Sequence, residues 1–241
     1  MTLQNKTARL AGLLYLILVI AGIISLMYVP SKLIVWENAS QTIENITNSK
    51  LLFRLGIVSG VITFLAFMFL PLVLYKLLNE VNKTHALLMV VFVLVSIPIS
   101  FTNMLHHFSV LTLISKPEYL QGWTAEQLQT EVMLHFAYYR NGIQLSNIFW
   151  GLWLFPFGSL VYQSGFLPKI LGVLLMAGCF GYLIEFTWQF LFQNYSNTIL
   201  ATIVGLPSSF GEIGICLWLL IMGTNKLRFG KRADKKVVGS I

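Results

Sequence analysis

The clearest structural signal in the chain lies between Leu55 and Leu74, which read LGIVSGVITFLAFMFLPLVL. This stretch contains no charged side chain, and a helix needs roughly 20 apolar residues to cross the hydrocarbon core of a bilayer. Its apolar residues run on without the strict alternation of a half-buried strand. The stretch therefore predicts a transmembrane helix.

Similar stretches occupy most of the 241 residues, and the chain is 56% hydrophobic but only 10% charged. Soluble domains contain about 25% charged residues. The composition excludes a disordered chain, a basic nucleic-acid-binding domain and a small disulfide scaffold. We predict an all-α integral membrane protein with a single six-helix transmembrane domain, residues 1–225, and a basic tail, residues 226–241. The six spans are expected at about 8–29, 52–77, 86–115, 131–162, 168–193 and 199–223.

Four of these spans contain a proline, which removes a backbone donor and tends to kink a helix. The four residues are Pro71, Pro98, Pro156 and Pro207. Broken helices can mark a binding site in transporters, but prolines are also frequent in membrane helices generally.

The basic residues predict the orientation. With the N-terminus inside, the inner segments carry eleven Lys and Arg residues and the outer loops carry three, as the positive-inside rule requires. Six spans return the chain to its starting side, so both termini are expected to be cytoplasmic. The tail carries six of the eleven and is expected to attract anionic lipid headgroups and not nucleic acid. These six are Lys226, Arg228, Lys231, Arg232, Lys235 and Lys236.

Ionisable side chains inside a span are costly, so they are candidates for function. Counting ~1.5 Å per residue from the inner end of each span places Arg140 roughly 30 Å up. The same count places Asn103, Asn147 and Glu185 at about 22–25 Å and Glu212 at about 18 Å. We expect these five side chains to form a ligand-binding pocket in the outer half of the membrane.

These residues also have structural interpretations. Arg140 can pair with Glu185 to orient two helices. Glu212, which lies between Gly211 and Gly214, can be protonated and hydrogen-bond a neighbouring helix.

Four further side chains, His106, His107, Glu131 and His135, raise the question of a metal site. Glu131 and His135 share one helix face at i, i+4, and imidazole with carboxylate binds zinc or iron. Adjacent histidines on a helix point about 100° apart, so His106 and His107 cannot both join one site. There is no H-E-x-x-H motif. These four are weak metal candidates, and we predict no metal and no cofactor.

The sequence leaves three functional hypotheses open. The first is a module that binds or transports a small polar or lipid-headgroup ligand. The second is an intramembrane enzyme that modifies lipid, with Glu185 or a histidine as general base. The third is a structural or regulatory membrane partner without chemistry of its own. Phosphate loops, G-x-S-x-G and paired aspartates are missing, which favours a protein that is not an enzyme.

Three segments resemble a known family. They are ARLAGLLYL at 8–16, LVYQSGFLPKILGVLL at 160–175, and Gly211-Glu212 followed by LWLL at 217–220. Together they resemble the bacterial membrane proteins called domain of unknown function 4386, and the likeness covers nearly the whole chain. The resemblance implies a six-helix protein of the bacterial cytoplasmic membrane with no established activity.

The resemblance also bears on single residues. Glu212 falls in the Gly-Glu motif of the family, and Glu185 follows Gly-Tyr-Leu-Ile, where the family has an acidic residue. Trp153 stands where a histidine is frequent in the family, and this departure weakens a mechanism centred on histidine.

Overall fold

The computed structural model describes residues 2–192 and 199–224, without the side chains of 199–202. In this part of the chain the regular structure is helical throughout. The predicted all-α fold with six spans is confirmed, while the basic tail at 226–241 lies outside the described residues. The helical segments that are long and apolar enough to cross a membrane are Leu3–Leu33, Lys50–Leu78, Lys83–Ser115, Ala125–Ser164, Lys169–Leu191 and Ile203–Met222.

Within the described residues, these segments, taken in order as spans one to six, are built from eight α-helices together with two short π-helical segments. Span one consists of α1 (Leu3–Gly22), a π-helical segment (Ile23–Tyr28) and α2 (Val29–Leu33), and α3 (Ala39–Asn48) follows in the connection to span two. Spans two and three are α4 (Lys50–Leu78) and α5 (Lys83–Ser115). Span four consists of α6 (Ala125–Leu152) and α7 (Leu154–Ser164), and span five is α8 (Lys169–Leu191). Span six consists of α9 (Ile199–Leu217) and a π-helical segment (Trp218–Met222).

Several helices are longer than the hydropathy predicts, because polar flanking residues continue the helix beyond its apolar part. Span four shows the reason at its start. The Gln127 backbone N–H donates to Thr124 Oγ1 over 3.2 Å, and the Thr124 N–H donates to Gln127 Oε1 over 2.9 Å. This reciprocal cap starts the helix several residues before the apolar run.

The four intramembrane prolines have different effects. Helices α4, α5 and α9 continue through Pro71, Pro98 and Pro207. Span four is interrupted at Trp153, between α6 and α7, three residues before Pro156, which lacks the N–H that would bond the carbonyl of Leu152.

The described residues group into two compact units, and each is described by itself. Unit 1 contains the described residues within 1–16, 67–96 and 147–241. Unit 2 contains residues 17–66 and 97–146. The single-domain organisation stays a prediction.

In unit 1, spans four and five pack backbone to backbone. A Cβ atom added to Gly158 would lie 2.6 Å from the carbonyl oxygen of Gly172, so both positions require glycine for this close approach. Beside this contact the Trp153 ring stacks on Phe157, with centroids 5.2 Å apart, and meets Phe67 edge-on at 5.3 Å. Trp153 is therefore a core residue.

In unit 2, an aromatic cluster holds α5 against α4 and α6. The His107 ring stacks on Tyr139, with centroids 3.8 Å apart. It also meets Phe53 at 5.5 Å and Phe136 at 6.0 Å. This packing fixes the rotation of α5 about its axis, and with it the side chains that α5 turns towards α6.

Candidate functional site

An open groove with a volume of about 570 Å³ lies between α5 and α6 in unit 2. Counting ~1.5 Å per residue from Lys83 places its polar side chains on α5 about 30–35 Å along that helix. A hydrocarbon core is about 30 Å thick, so this is the depth of the outer headgroups if the N-terminus is inside. The polar side chains that line the groove are Thr102, Asn103, His106, Tyr138 and Asn141.

Asn103 lies at the back of the groove, where it is only 7% exposed. Its Nδ2 atom donates a hydrogen bond to the backbone carbonyl of Tyr139 over 2.8 Å. A Cβ atom added to Gly142 would overlap the Asn103 amide. Glycine at position 142 therefore makes the space that this side chain occupies.

Three ionisable side chains form a series that ends in the groove, in the order Glu131, His135 and His106. The Nδ1 atoms of His106 and His135 are 3.0 Å apart. On the other side of the second ring, His135 Nε2 lies 3.7 Å from Glu131 Oε1. The ring of Tyr138 lies 5.4 Å from that of His106 and 6.4 Å from that of His135.

The three side chains of this series, together with His107, are the four residues that the sequence suggested as weak metal candidates. His107 does not join the series, because it is buried in the aromatic cluster around Tyr139. The two Nδ1 atoms of the series are at hydrogen-bond distance, closer than the about 3.3 Å that separates two nitrogen ligands on a tetrahedral zinc ion. Among the described residues, no group of three or more His, Cys, Asp or Glu side chains is arranged to hold a metal ion.

Arg140 lies on α6 beside these residues in sequence, but its guanidinium contacts a different partner. The Cζ atom lies 4.3 Å from the centroid of the Trp36 ring, which belongs to the connection between α2 and α3. This is a cation–π contact between two exposed side chains.

In unit 1, Glu212 is held by hydrogen bonds from two other spans. The Tyr15 hydroxyl of span one donates to Glu212 Oε2 over 2.9 Å, and the Tyr182 hydroxyl of span five donates to Oε1 over 3.2 Å. Tyr15 is completely buried, and Glu212 and Tyr182 are half-buried. Each carboxyl oxygen thus has its own donor, and the three side chains join spans one, five and six.

Glu185 and Asn147 are the remaining predicted pocket residues. Glu185 accepts a hydrogen bond of 2.9 Å from Gln189 Nε2, one turn along α8, and both Glu185 and Asn147 are half-buried. The pocket of five residues stays a prediction, since its members fall in two units that are described separately. Asn103 and Arg140 belong to unit 2, and Asn147, Glu185 and Glu212 to unit 1.

Sequence reasoning missed five side chains that contribute to these sites, and also the glycine that makes room in the groove. Tyrosines inside a span resemble other apolar aromatics, so the sequence gives no signal for Tyr15, Tyr138 and Tyr182. A weak signal existed for Thr102, because it shares a helix face with the predicted candidate His106 at i, i+4. Asn141 and Gly142 directly follow Arg140, and no pattern distinguishes them from other small polar residues.

Comparison with known proteins gives the class of this membrane protein. Residues 10–223 match a family described as "Domain of unknown function (DUF4386)", and the chain belongs to this family. An uncharacterized protein of Archaeoglobus fulgidus is 33% identical over 150 residues, which cover 62% of this chain and 72% of that protein. This relative is archaeal, so the similarity extends beyond the bacteria. No solved structure matches the chain.

Proposed function

We propose that this protein is a binding or transport module for a small polar ligand or lipid headgroup, which it takes up in the outer half of its membrane domain. The observation that carries this proposal is the open groove between α5 and α6 with its polar lining. If the N-terminus is inside, this lining lies at the depth of the outer headgroups. Binding sites in proteins are concave and mostly apolar, with a few placed polar groups, and the groove fits this description.

The surroundings of the groove favour a lipid over a free solute. The groove is open to the surface, and Tyr138 on its rim is 45% exposed. Large apolar side chains on the same two helices, among them Leu105 and Leu134, are also exposed. In a membrane span such residues face acyl chains, so a lipid can place its headgroup in the groove while its chains stay in the bilayer.

A substitution at the rim tests this proposal. Asn141 is exposed and lines the groove, so Asn141→Trp is expected to fill the groove without disturbing the core. Leu105→Trp adds the same side chain to an exposed position of α5 that is not part of the lining. Native mass spectrometry of the purified protein, titrated with a synthetic phospholipid, should show at least one bound lipid that Asn141→Trp loses and Leu105→Trp keeps. Equal lipid retention in both variants would contradict the proposal.

The predicted role of the two glutamates is tested separately. If Glu185 and Glu212 take part in transport, the transbilayer movement of a fluorescent phospholipid in proteoliposomes should be lost in Glu185→Gln and Glu212→Gln. Both variants must first elute as folded protein in size-exclusion chromatography. Undiminished movement in both folded variants would exclude the glutamates from the transport step.

The series of Glu131, His135 and His106 favours a second candidate function, that of a lipid-modifying enzyme. A carboxylate that orients one imidazole, which in turn contacts another, is an arrangement that can prepare a general base. Purified protein incubated with defined phospholipids should then release a lysolipid, a fatty acid or a headgroup that His106→Gln does not release. Absence of all three products would exclude hydrolysis of these lipids.

We further propose that the basic tail at 226–241 binds anionic lipids on the inner side of a bacterial cytoplasmic membrane. The support is its charge and its place directly after an apolar span. Replacing its six Lys and Arg residues with Gln should weaken co-sedimentation of a tail peptide with vesicles that contain phosphatidylglycerol. An unchanged affinity at low salt would contradict the electrostatic attraction.

A further inference from the structure

We infer that the groove selects a lipid headgroup that donates hydrogen bonds, and a primary ammonium most strongly, because two hydrogen-bond acceptors of α5 lie in its lining. The two acceptors are Asn103 Oδ1 and His106 Nε2. This inference rests on the proposed function, and it adds the chemical class of the headgroup.

The first acceptor follows from the hydrogen bond of Asn103. An amide nitrogen only donates and an amide oxygen only accepts. Because Nδ2 is bonded to the carbonyl oxygen of Tyr139, the orientation of the amide is fixed, and Oδ1 is the atom on the opposite side. Its neighbour there is Gly142, which has no side chain to donate to it.

The second acceptor follows from the series of Glu131, His135 and His106. A carboxylate next to His135 Nε2 favours a proton on that nitrogen, since the partner of one ring nitrogen determines the tautomer. In the neutral ring His135 Nδ1 is then the acceptor. At 3.0 Å it must accept a hydrogen bond from the N–H of His106 Nδ1. His106 Nε2 is left without a proton, and His106 lines the groove.

The two acceptors suit an ammonium group. Asn103 and His106 are three residues apart on one helix face, where Cβ atoms are about 5–6 Å apart. A primary ammonium carries three N–H donors and can bond to both, whereas a trimethylammonium group has none. The Tyr138 ring beside His106 adds an aromatic face. The nearby charges also suit a cation. Glu131, at the end of the series, is negative and attracts an ammonium group, whereas the positive Arg140 guanidinium lies over the Trp36 ring and is not part of the groove lining.

Three phospholipids with identical acyl chains test the inference on the full-length protein by native mass spectrometry. Phosphatidylethanolamine should bind about tenfold more tightly than phosphatidylcholine, the ratio expected from one additional hydrogen bond. It should also bind more tightly than phosphatidylglycerol, which donates through neutral hydroxyl groups. Phosphatidylcholine binding as tightly as phosphatidylethanolamine, or phosphatidylglycerol binding more tightly, would overturn the inference.

Glu131→Gln tests the series itself. A glutamine amide can donate to His135 Nε2, which would move the proton of His135 to Nδ1 and leave His106 with its proton on Nε2. The preference for phosphatidylethanolamine should then fall but not vanish, because the groove is still present and Asn103 Oδ1 is the acceptor that remains. Glu126→Gln, at an exposed position of the same helix, is the matched control and should keep the preference.

Nitrogen NMR of the histidine-labelled protein gives a readout that does not depend on a ligand. His106 Nε2 should show the chemical shift of an unprotonated ring nitrogen in the wild type and that of a protonated one in Glu131→Gln. A protonated Nε2 in the wild type would overturn the inference and leave the proposed function intact. If no phospholipid binds in an Asn141-dependent way, the proposed function itself fails.

Discussion

The Nδ1 atoms of His106 and His135 lie 3.0 Å apart, so one of the two imidazole rings must donate an N–H hydrogen bond to the other. This bond joins α5 to α6 beside the groove, and Glu131 lies on the far side of the His135 ring. The pair thus has a structural role in addition to the role proposed for His106 in ligand binding.

Removing one partner of this bond should destabilise the packing of α5 against α6. We expect His135→Phe to lower the free energy of unfolding by about 1–2 kcal/mol, because His106 Nδ1 loses its partner. Chemical unfolding in mixed micelles measures this quantity. Leu134→Phe, an exposed neighbour on α6, should change it by less than about 0.5 kcal/mol. An equal effect of the two substitutions would show that the bond contributes nothing.

A second prediction concerns the close approach of α6 and Asn103. Gly142→Ala should lower the free energy of unfolding by about 1–3 kcal/mol, since the new Cβ atom overlaps the Asn103 amide and forces it to move. It should also reduce lipid binding in the groove. Gly205→Ala is the control, because a Cβ atom there meets nothing within 4 Å, and the same unfolding experiment should find it neutral or stabilising. A neutral Gly142→Ala would contradict the packing described for α5 and α6.

The bonds around Glu212 lead to a third prediction. Tyr15→Phe and Tyr182→Phe should each cost about 1–2 kcal/mol of unfolding free energy, since each removes one donor to the carboxyl group. In a Glu212→Ala background, either tyrosine substitution should lower the free energy of unfolding by less than it does in the wild type, and a double-mutant cycle measures the difference. Tyr162→Phe, at an exposed position on α7, serves as the control. Strictly additive losses would indicate that the tyrosines act independently of Glu212.

The orientation gives a fourth prediction. A fluorescent protein fused to the C-terminus should fluoresce, and alkaline phosphatase at the same place should be inactive, because the charge distribution puts that end in the cytoplasm. Fusions in the loop that contains α3 should show the opposite behaviour. Phosphatase activity at the C-terminus would contradict the assigned orientation and would move the groove to the inner leaflet.

The spans could be predicted from the sequence because the bilayer imposes a length and an apolar composition on each helix. Span two shows this well, since hydropathy placed it at 52–77 and the helix covers Lys50–Leu78. Helix α3 was not predicted, because Asn38 caps a polar segment that has no apolar run. The cap is a short-range signal, and hydropathy does not detect it.

The groove could be predicted only in part. Asn103 and His106 were recognised because polar residues inside a span are unusual. Their partners depend on how α5 is rotated against α6, and that rotation is fixed by the aromatic cluster around His107 and by the missing side chain of Gly142. Arg140 illustrates the same limit, since its contact with Trp36 joins residues about 100 positions apart in the chain. Nothing in the local sequence indicates such a pair.

The most direct test of the central claim is an experimental structure of the protein in nanodiscs made from phosphatidylethanolamine. We expect an ordered headgroup in the groove between α5 and α6, with its ammonium nitrogen within hydrogen-bond distance of Asn103 Oδ1 or His106 Nε2. A groove that holds only acyl-chain density, or a headgroup ordered elsewhere on the protein while the groove holds none, would contradict it.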